Sequence, residues 1–207
     1  MENPVFDLEF QNSSIESKII VSLERVSQAF RVLLWNESKE HSLSPIQIQV
    51  LIFLLHHSEQ IRKVSYLAEE FNMTKATISD TIKTLEQKLL IQKEYDVKDT
   101  RSFTIYLTPK GKKIAEQTSY FTEQIHKPID KLHQTDKENL LLSLLDIIQH
   151  LNQAGIITIQ RMCFNCQYYK PNENGYKHFC GLLNTKLAES ELRVDCPEHI
   201  LKDGKNT

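Results

Sequence analysis

The sequence predicts a mainly α-helical fold with one small β-hairpin and a compact cysteine-bearing appendage at its C-terminal end. Three observations carry this. Apolar residues recur at helical spacing along most of the chain. One alternating run, Phe103, Ile105 and Leu107 between Thr104, Tyr106 and Thr108, reads as a half-buried strand returning from a polar tip. All four cysteines, Cys163, Cys166, Cys180 and Cys196, fall in the last quarter of the 207 residues, and the first 162 have none.

Composition sets the bounds. Hydrophobic residues make up 40% and charged residues 25%, and 5 Gly and 6 Pro are too few for a turn-rich all-β fold. The N-terminus MENPVFDLEF lacks a basic region followed by an apolar core, so no signal peptide is expected. No apolar run approaches the ~20 residues that span a bilayer. A soluble cytoplasmic protein without membrane partners follows as the expectation. In that reducing compartment clustered cysteines more often bind metal or do redox chemistry than form disulfides. Net charge is −2, yet residues 60–113 hold eleven Lys/Arg against seven Asp/Glu, a local excess that points to a nucleic-acid face.

Residues 1–13 read as a polar tail. From Ser14 to about Lys39, Ile19, Leu23, Val26, Phe30 and Leu33 form one stripe, widened by Ile20, Leu34 and Trp35. Such a broad face suits a helix that packs on a partner subunit as well as on its own core. Ser44-Pro45-Ile46-Gln47 has the form of a capping box and opens a helix through Leu55. His56 and His57 at its end read as solvated. Val64, Leu67, Ala68 and Phe71 predict a short helix over 63–71, ended by a left-handed Asn72. Thr74 then caps a helix that buries Ile78, Ile82, Leu85 and Leu89. Two helices joined by a tight turn make a helix-turn-helix. Leu90 and Ile91 begin a strand, residues 95–102 form a polar tip, and the hairpin that closes is a wing. Thr108-Pro109 opens another helix, which Pro128 bends or ends. Thr135-Asp136-Lys137-Glu138 predicts a second capping box ahead of a strongly apolar helix halted near Gly155.

The stretch SYLAEEFNMTKATISDTIKTLEQKLLIQKEYDVKDTRSFTIYLTPKG resembles MarR-family transcriptional regulators, and the likeness covers roughly residues 14–160. Leu89 stands where that family commonly has Gly, which suggests a tighter apolar approach to the wing. Thr100-Arg101 replaces two adjacent arginines and removes one expected DNA contact. The resemblance implies a winged helix-turn-helix flanked by long dimerisation helices. It also implies a homodimer on a near-palindromic duplex, with a small-molecule effector possible between the long helices. The face opposite Ile78, Ile82 and Leu85 offers Lys75, Ala76, Thr77, Ser79, Asp80 and Lys83 to the major groove. Thr77 and Ser79 suit base edges or phosphates, Lys75 and Lys83 suit phosphate, and Asp80 suits a local role. Lys98 and Arg101 at the hairpin tip suit the neighbouring backbone and a narrow minor groove.

Residues 161–200 form the predicted cysteine module, followed by a polar tail over 201–207. Its pattern is C-x2-C, thirteen residues, Cys180, fifteen residues, Cys196, which is a metal-site signature. Two occupants remain open, a 4Fe–4S cluster held by the four thiolates and a structural zinc ion. Phe164, Tyr168, Tyr169, Tyr176 and Phe179 would shield a cluster, and Pro197 follows the last cysteine. The order of features in CFNCQYY, FCGLLNTKL and DC resembles high-potential iron–sulfur proteins over about 35 residues. Val194-Asp195 stands in place of their Gly-Trp, so a more polar, wetter site is expected. His178 and His199 are secondary ligand candidates. An enzyme is not expected: there is no Gly-rich phosphate loop, nucleophile elbow or HExxH. The functional expectation is a DNA-binding regulator that senses redox, oxygen or iron. The alternatives are a zinc-bearing regulator with a small-molecule effector, or an electron-transfer accessory protein that uses the winged helix to bind proteins.

Overall fold

The computed structural model describes residues 4–96, 102–173 and 175–202. The first helix, α1 (Ile15–His41), starts where Ser14 accepts the Ser17 N–H. Only its C-terminal part, through Leu34 and Ser38, enters the core. α2 (Pro45–His56) begins with the expected reciprocal Ser44–Gln47 capping box and buries Ile48, Val50, Leu51, Phe53 and Leu54. α3 (Val64–Glu70) and α4 (Lys75–Gln87) form the helix-turn-helix, with Thr74 accepting the Thr77 N–H at the start of α4. β1 (Ile91–Tyr95) and β2 (Phe103–Leu107) pair antiparallel, Ile91 opposite Leu107 and Tyr95 opposite Phe103. α5 (Pro109–Thr118), α6 (Glu123–Asp130) and α7 (Gln134–Gln153) follow. The C-terminal segment folds into a three-stranded antiparallel sheet, β3 (Tyr169–Glu173), β4 (Tyr176–Cys180) and β5 (Thr185–Lys186), in that order.

One apolar core joins α1 to α5 through Leu34, Leu51, Leu54, Leu67, Ile78, Ile82, Leu85, Ile105 and Ala115. The i, i+3, i+4 spacing puts these residues on the inner face of each helix, and alternation puts Ile105 inward on β2. A smaller cluster of Leu145, Met162 and Leu192 seats the cysteine segment on α7.

Four helices end in the same way. Ser42, Asn72, Leu89 and Gly155 each take a positive φ, and the next residue's N–H bonds back five positions. This is the Schellman ending, which satisfies carbonyls that the helix leaves orphaned. Asn72 takes this role as its sequence predicts.

Leu89 does not behave as expected. It is 71% exposed at φ 59, so it neither joins the buried side of α4 nor tightens the approach to the wing. It occupies a left-handed position that costs a side-chain-bearing residue about 1–2 kcal/mol. Thr108 helps to hold it there. The Thr108 hydroxyl donates to the Leu89 carbonyl at 2.8 Å and accepts the Gly111 N–H at 3.1 Å. Gly111 is obligatory, because a Cβ there would stand 1.9 Å from the Leu90 carbonyl oxygen.

Three further expectations are corrected. Leu90 precedes the strand, its N–H spent on the end of α4. The Thr135 capping box does not form, because α7 starts one residue earlier at Gln134. Gln134 instead donates to Glu138 one turn on, at 2.7 Å, which takes up the carboxylate a box would need. His57 is not simply solvated, as described below. Pro128 lies inside α6, two residues before its end, so it terminates that helix rather than bending a longer one.

Candidate nucleic-acid interface and cysteine pocket

α4 has two faces. Ile78, Thr81, Ile82 and Leu85 are buried, so Lys75, Ala76, Thr77, Ser79, Asp80 and Lys83 are turned outward and exposed. The Thr77 hydroxyl lies 2.9 Å from that of Thr74, which fixes it near the start of the helix. Lys98 and Arg101 lie outside the described residues. Beside α4 runs an open cleft of about 570 Å³, lined by Lys63, Val64, Ser65, Lys75, Ser79, Ser102 and Phe103. Among the described residues two ammonium groups and three hydroxyls face it and no carboxylate does, which is the chemistry of a phosphate-binding surface. Lys63, Ser65 and Ser102 were not singled out by the sequence. Lys63 and Ser65 sit at the start of α3 and Ser102 just before β2, two segments that only the fold brings together.

The hairpin is braced against the body of the domain. Lys93 bonds Glu86 at 2.6 Å and lies 5.1 Å from the centre of the Phe103 ring. The Ile105 N–H donates to the Arg62 carbonyl at 3.0 Å, and the Arg62 guanidinium reaches the His57 carbonyl at 2.7 and 2.9 Å. The wing, the end of α2 and the start of the helix-turn-helix are therefore tied at one point.

The four cysteines, none in a disulfide, line one small cavity of about 50 Å³. Tyr168, Tyr169, Leu182, Leu183 and Leu187 share its wall with the charged Glu191, Arg193 and Glu198. Of the expected aromatic shell only Tyr168 and Tyr169 lie there, and leucines replace the rest. Asp195 turns away from the cavity to bond Arg161 and His57. Phe164 packs on Tyr169 and His178 behind the wall. His178 bonds the Tyr169 hydroxyl at 2.6 Å and His199 lies 2.9 Å from the Asn165 side chain, and neither lines the cavity.

The chain threads the pocket through backbone bonds. The Cys166 N–H donates to the Cys163 carbonyl, and Cys163 N–H to the Arg193 carbonyl. The Arg193 N–H returns to the Cys163 sulfur at 3.2 Å. Burial pushes the Cys163 thiol up, partly offset by that N–H bond, and the other three cysteines push it up further. Burial and the neighbouring sulfurs thus disfavour the charged form of Cys163, and a bound cation would reverse that preference. Four cysteines are a donor type that suits zinc or an iron–sulfur cluster. Among the described residues no three His, Cys, Asp or Glu side chains converge closely enough to hold an ion as they stand. A zinc cage needs sulfurs about 3.8 Å apart, given Zn–S bonds near 2.3 Å. A multi-iron cluster spaces its thiolates more widely.

Arg161 joins the pocket to the helix-turn-helix. Arg161 donates to Glu70 at 2.7 and 3.2 Å, to the Tyr66 hydroxyl at 2.8 Å and to Asp195 at 2.6 and 2.7 Å. His57 stacks on Phe53 and lies 3.0 Å from Asp195. Burial opposes the charge on both partners. The hydrogen bonds outweigh it, holding Asp195 well below the usual carboxylate range and Arg161 above its ordinary value.

These elements define a winged helix-turn-helix. Residues 34–118 match the family described as Transcriptional regulator SarA/Rot, a match that ends ahead of the cysteine segment. The chain is 27% identical over 112 residues to the HTH-type transcriptional regulator SarZ of Staphylococcus haemolyticus, which covers 54% of this chain and 74% of that protein. Its fold is similar to that of S. aureus MepR in a DNA complex, with a TM-score of 0.56 and 24% identity over 63% of this chain and 96% of that one. Streptococcus pneumoniae FabT in complex with DNA gives a TM-score of 0.56 and 19% identity, over 67% of this chain and 99% of that one. Among the described residues no helix is long and apolar enough to cross a membrane.

Proposed function

We propose that this protein is a transcriptional regulator that binds duplex DNA as a homodimer, with α4 in the major groove. The observation that carries the reading is the outward face of α4. Lys75, Thr77, Ser79 and Lys83 stand clear of the core, beside a cleft with two lysines and three serine hydroxyls. Lysines on such a face displace counterions from phosphates, and hydroxyls near the start of a recognition helix reach base edges. MepR and FabT, similar in fold, are both described with bound DNA. A dimer is supported by the apolar residues that α1 leaves exposed, among them Ile19, Ile20, Val26 and Trp35, and by Ile129, Leu140 and Ile147 on α6 and α7. Large apolar side chains left exposed in this number suit an association surface.

The four-cysteine cavity is a metal site in this reading. Cys163, Cys166, Cys180 and Cys196 would hold either a 4Fe–4S cluster or zinc. The metal would supply folding free energy to a segment with little apolar core, and as iron–sulfur it would add redox or oxygen sensitivity. Anaerobically purified protein is expected to be brown with charge-transfer absorbance. A colourless protein with one zinc per chain selects the zinc alternative.

DNA binding is tested with duplexes selected from a random pool, by fluorescence anisotropy across salt concentrations. Lys75→Ala is expected to reduce the slope of log affinity against log salt by about 0.9, the loss of one phosphate contact. No salt-dependent binding by the intact protein would overturn the reading.

A further inference from the structure

We propose that Arg161 is a strut that makes the position of α3, and through it α4, depend on the conformation of the cysteine pocket. The inference rests on the DNA-binding reading only for its consequence at the duplex. The strut itself is argued from contacts.

Arg161 belongs to both parts of the molecule. Its backbone carbonyl accepts the Cys196 N–H at 2.9 Å, and it stands two residues before Cys163. Its guanidinium meanwhile grips Glu70, the last residue of α3, and Tyr66 one turn earlier. The same guanidinium holds Asp195, the neighbour of Cys196. One cation thus faces two carboxylates, one on each side. Its flat fork fixes their relative positions more strictly than a point charge would. The Arg161 and Glu70 side chains are only 14% and 19% exposed, so water replaces a lost partner poorly.

Two shorter ties run in parallel. The Thr158 hydroxyl donates to the Glu69 carbonyl, and His57 at the end of α2 meets Asp195. Any rearrangement that moves Cys196 must move Asp195 and the Arg161 carbonyl. Arg161 must then release Glu70, release Asp195, or carry α3 with it. Three residues separate Glu70 from Thr74, the cap of α4, and they are held by the Schellman turn at Asn72. That turn has little slack to absorb a shift. Coupling of this kind needs no long chain of intermediates, because the strut touches both elements.

The test uses the full-length protein with its thiols either reduced or alkylated by N-ethylmaleimide. Hydrogen exchange is read over residues 64–74. In the wild type, alkylation is expected to raise exchange there about tenfold, within the range of ordinary coupling between sites. In Arg161→Met the exchange is expected to be high before alkylation and to change less than about twofold afterwards. Glu70→Gln removes the charge that Arg161 grips without touching the pocket, and it should reproduce this pattern should the arginine variant fail to fold. Unchanged exchange over 64–74 in the alkylated wild type overturns the strut, as does a full response in both variants. A parallel anisotropy titration with a selected duplex separates the two readings. Duplex affinity should fall on alkylation in the wild type and stay flat in Arg161→Met. If no form binds duplex, the DNA reading fails while the exchange data still decide the strut.

Discussion

The winged-helix segment and the cysteine segment are held by different forces. The first closes over a continuous apolar core from Leu34 to Ala115, with Ile48, Leu51, Leu67, Ile78, Leu85 and Ile105 fully buried. The second closes on Leu145, Met162 and Leu192, one of which belongs to α7. What the second lacks in apolar burial it replaces with backbone bonds around Cys163, Cys166 and Cys196, stacked rings, and the Arg161 contacts. A region closed by apolar burial is stable by itself and tolerates changes at its surface. A region closed by a few specific bonds and four thiols changes state when those groups change chemistry. The two regions are thus closed in different ways, one by apolar burial and one by a few specific bonds.

Core deletions sharpen this contrast most. Leu85→Ala removes a fully buried side chain from the recognition helix and should cost about 3–4 kcal/mol in urea denaturation, with the helical signal lost in one step. Met162→Ala should cost about 2 kcal/mol, felt mainly in the cysteine segment. Its signature is faster alkylation of Cys163 and Cys166 while the helical melting curve stays in place. A Met162 variant that melts the winged helix as well would break the division between the two regions. The smallest effect has the opposite sign. Leu89→Gly relieves a left-handed, exposed leucine and should raise the melting midpoint by the equivalent of about 1 kcal/mol or less, since glycine's greater freedom in the unfolded chain takes back part of the gain.

The same contrast decides what was legible in the sequence. Period and capping are local, so α2, α4 and the wing could be read directly. Ser44 and Gln47 find each other three residues apart, and Ile78, Ile82 and Leu85 mark one face of one helix. Local signals fail when two compete, as at Thr135, where the Gln134–Glu138 pair displaced the expected box. Leu89 was misjudged because apolarity was read as burial, whereas its backbone role is set by the end of α4 and by Thr108. The cysteine spacing showed that four thiols would meet, and the structure places all four around one cavity. The leucine wall and the connection to the helix-turn-helix were not legible. His57 and Asp195 are 138 residues apart, and Arg161 and Glu70 are 91 apart. The visible hint was weak: Arg161 and Asp195 are oppositely charged residues close to Cys163 and Cys196.

The most direct measurement of the central claim is the ratio of affinities for a selected duplex and a scrambled one, compared between the wild type and the Thr77→Ala/Ser79→Ala double variant. A recognition helix that reads bases through these hydroxyls requires the ratio to fall by about tenfold or more, while affinity for the scrambled duplex, set by lysines on phosphates, stays nearly constant. An unchanged ratio would place the reading of sequence elsewhere and contradict the assignment of α4 to the major groove.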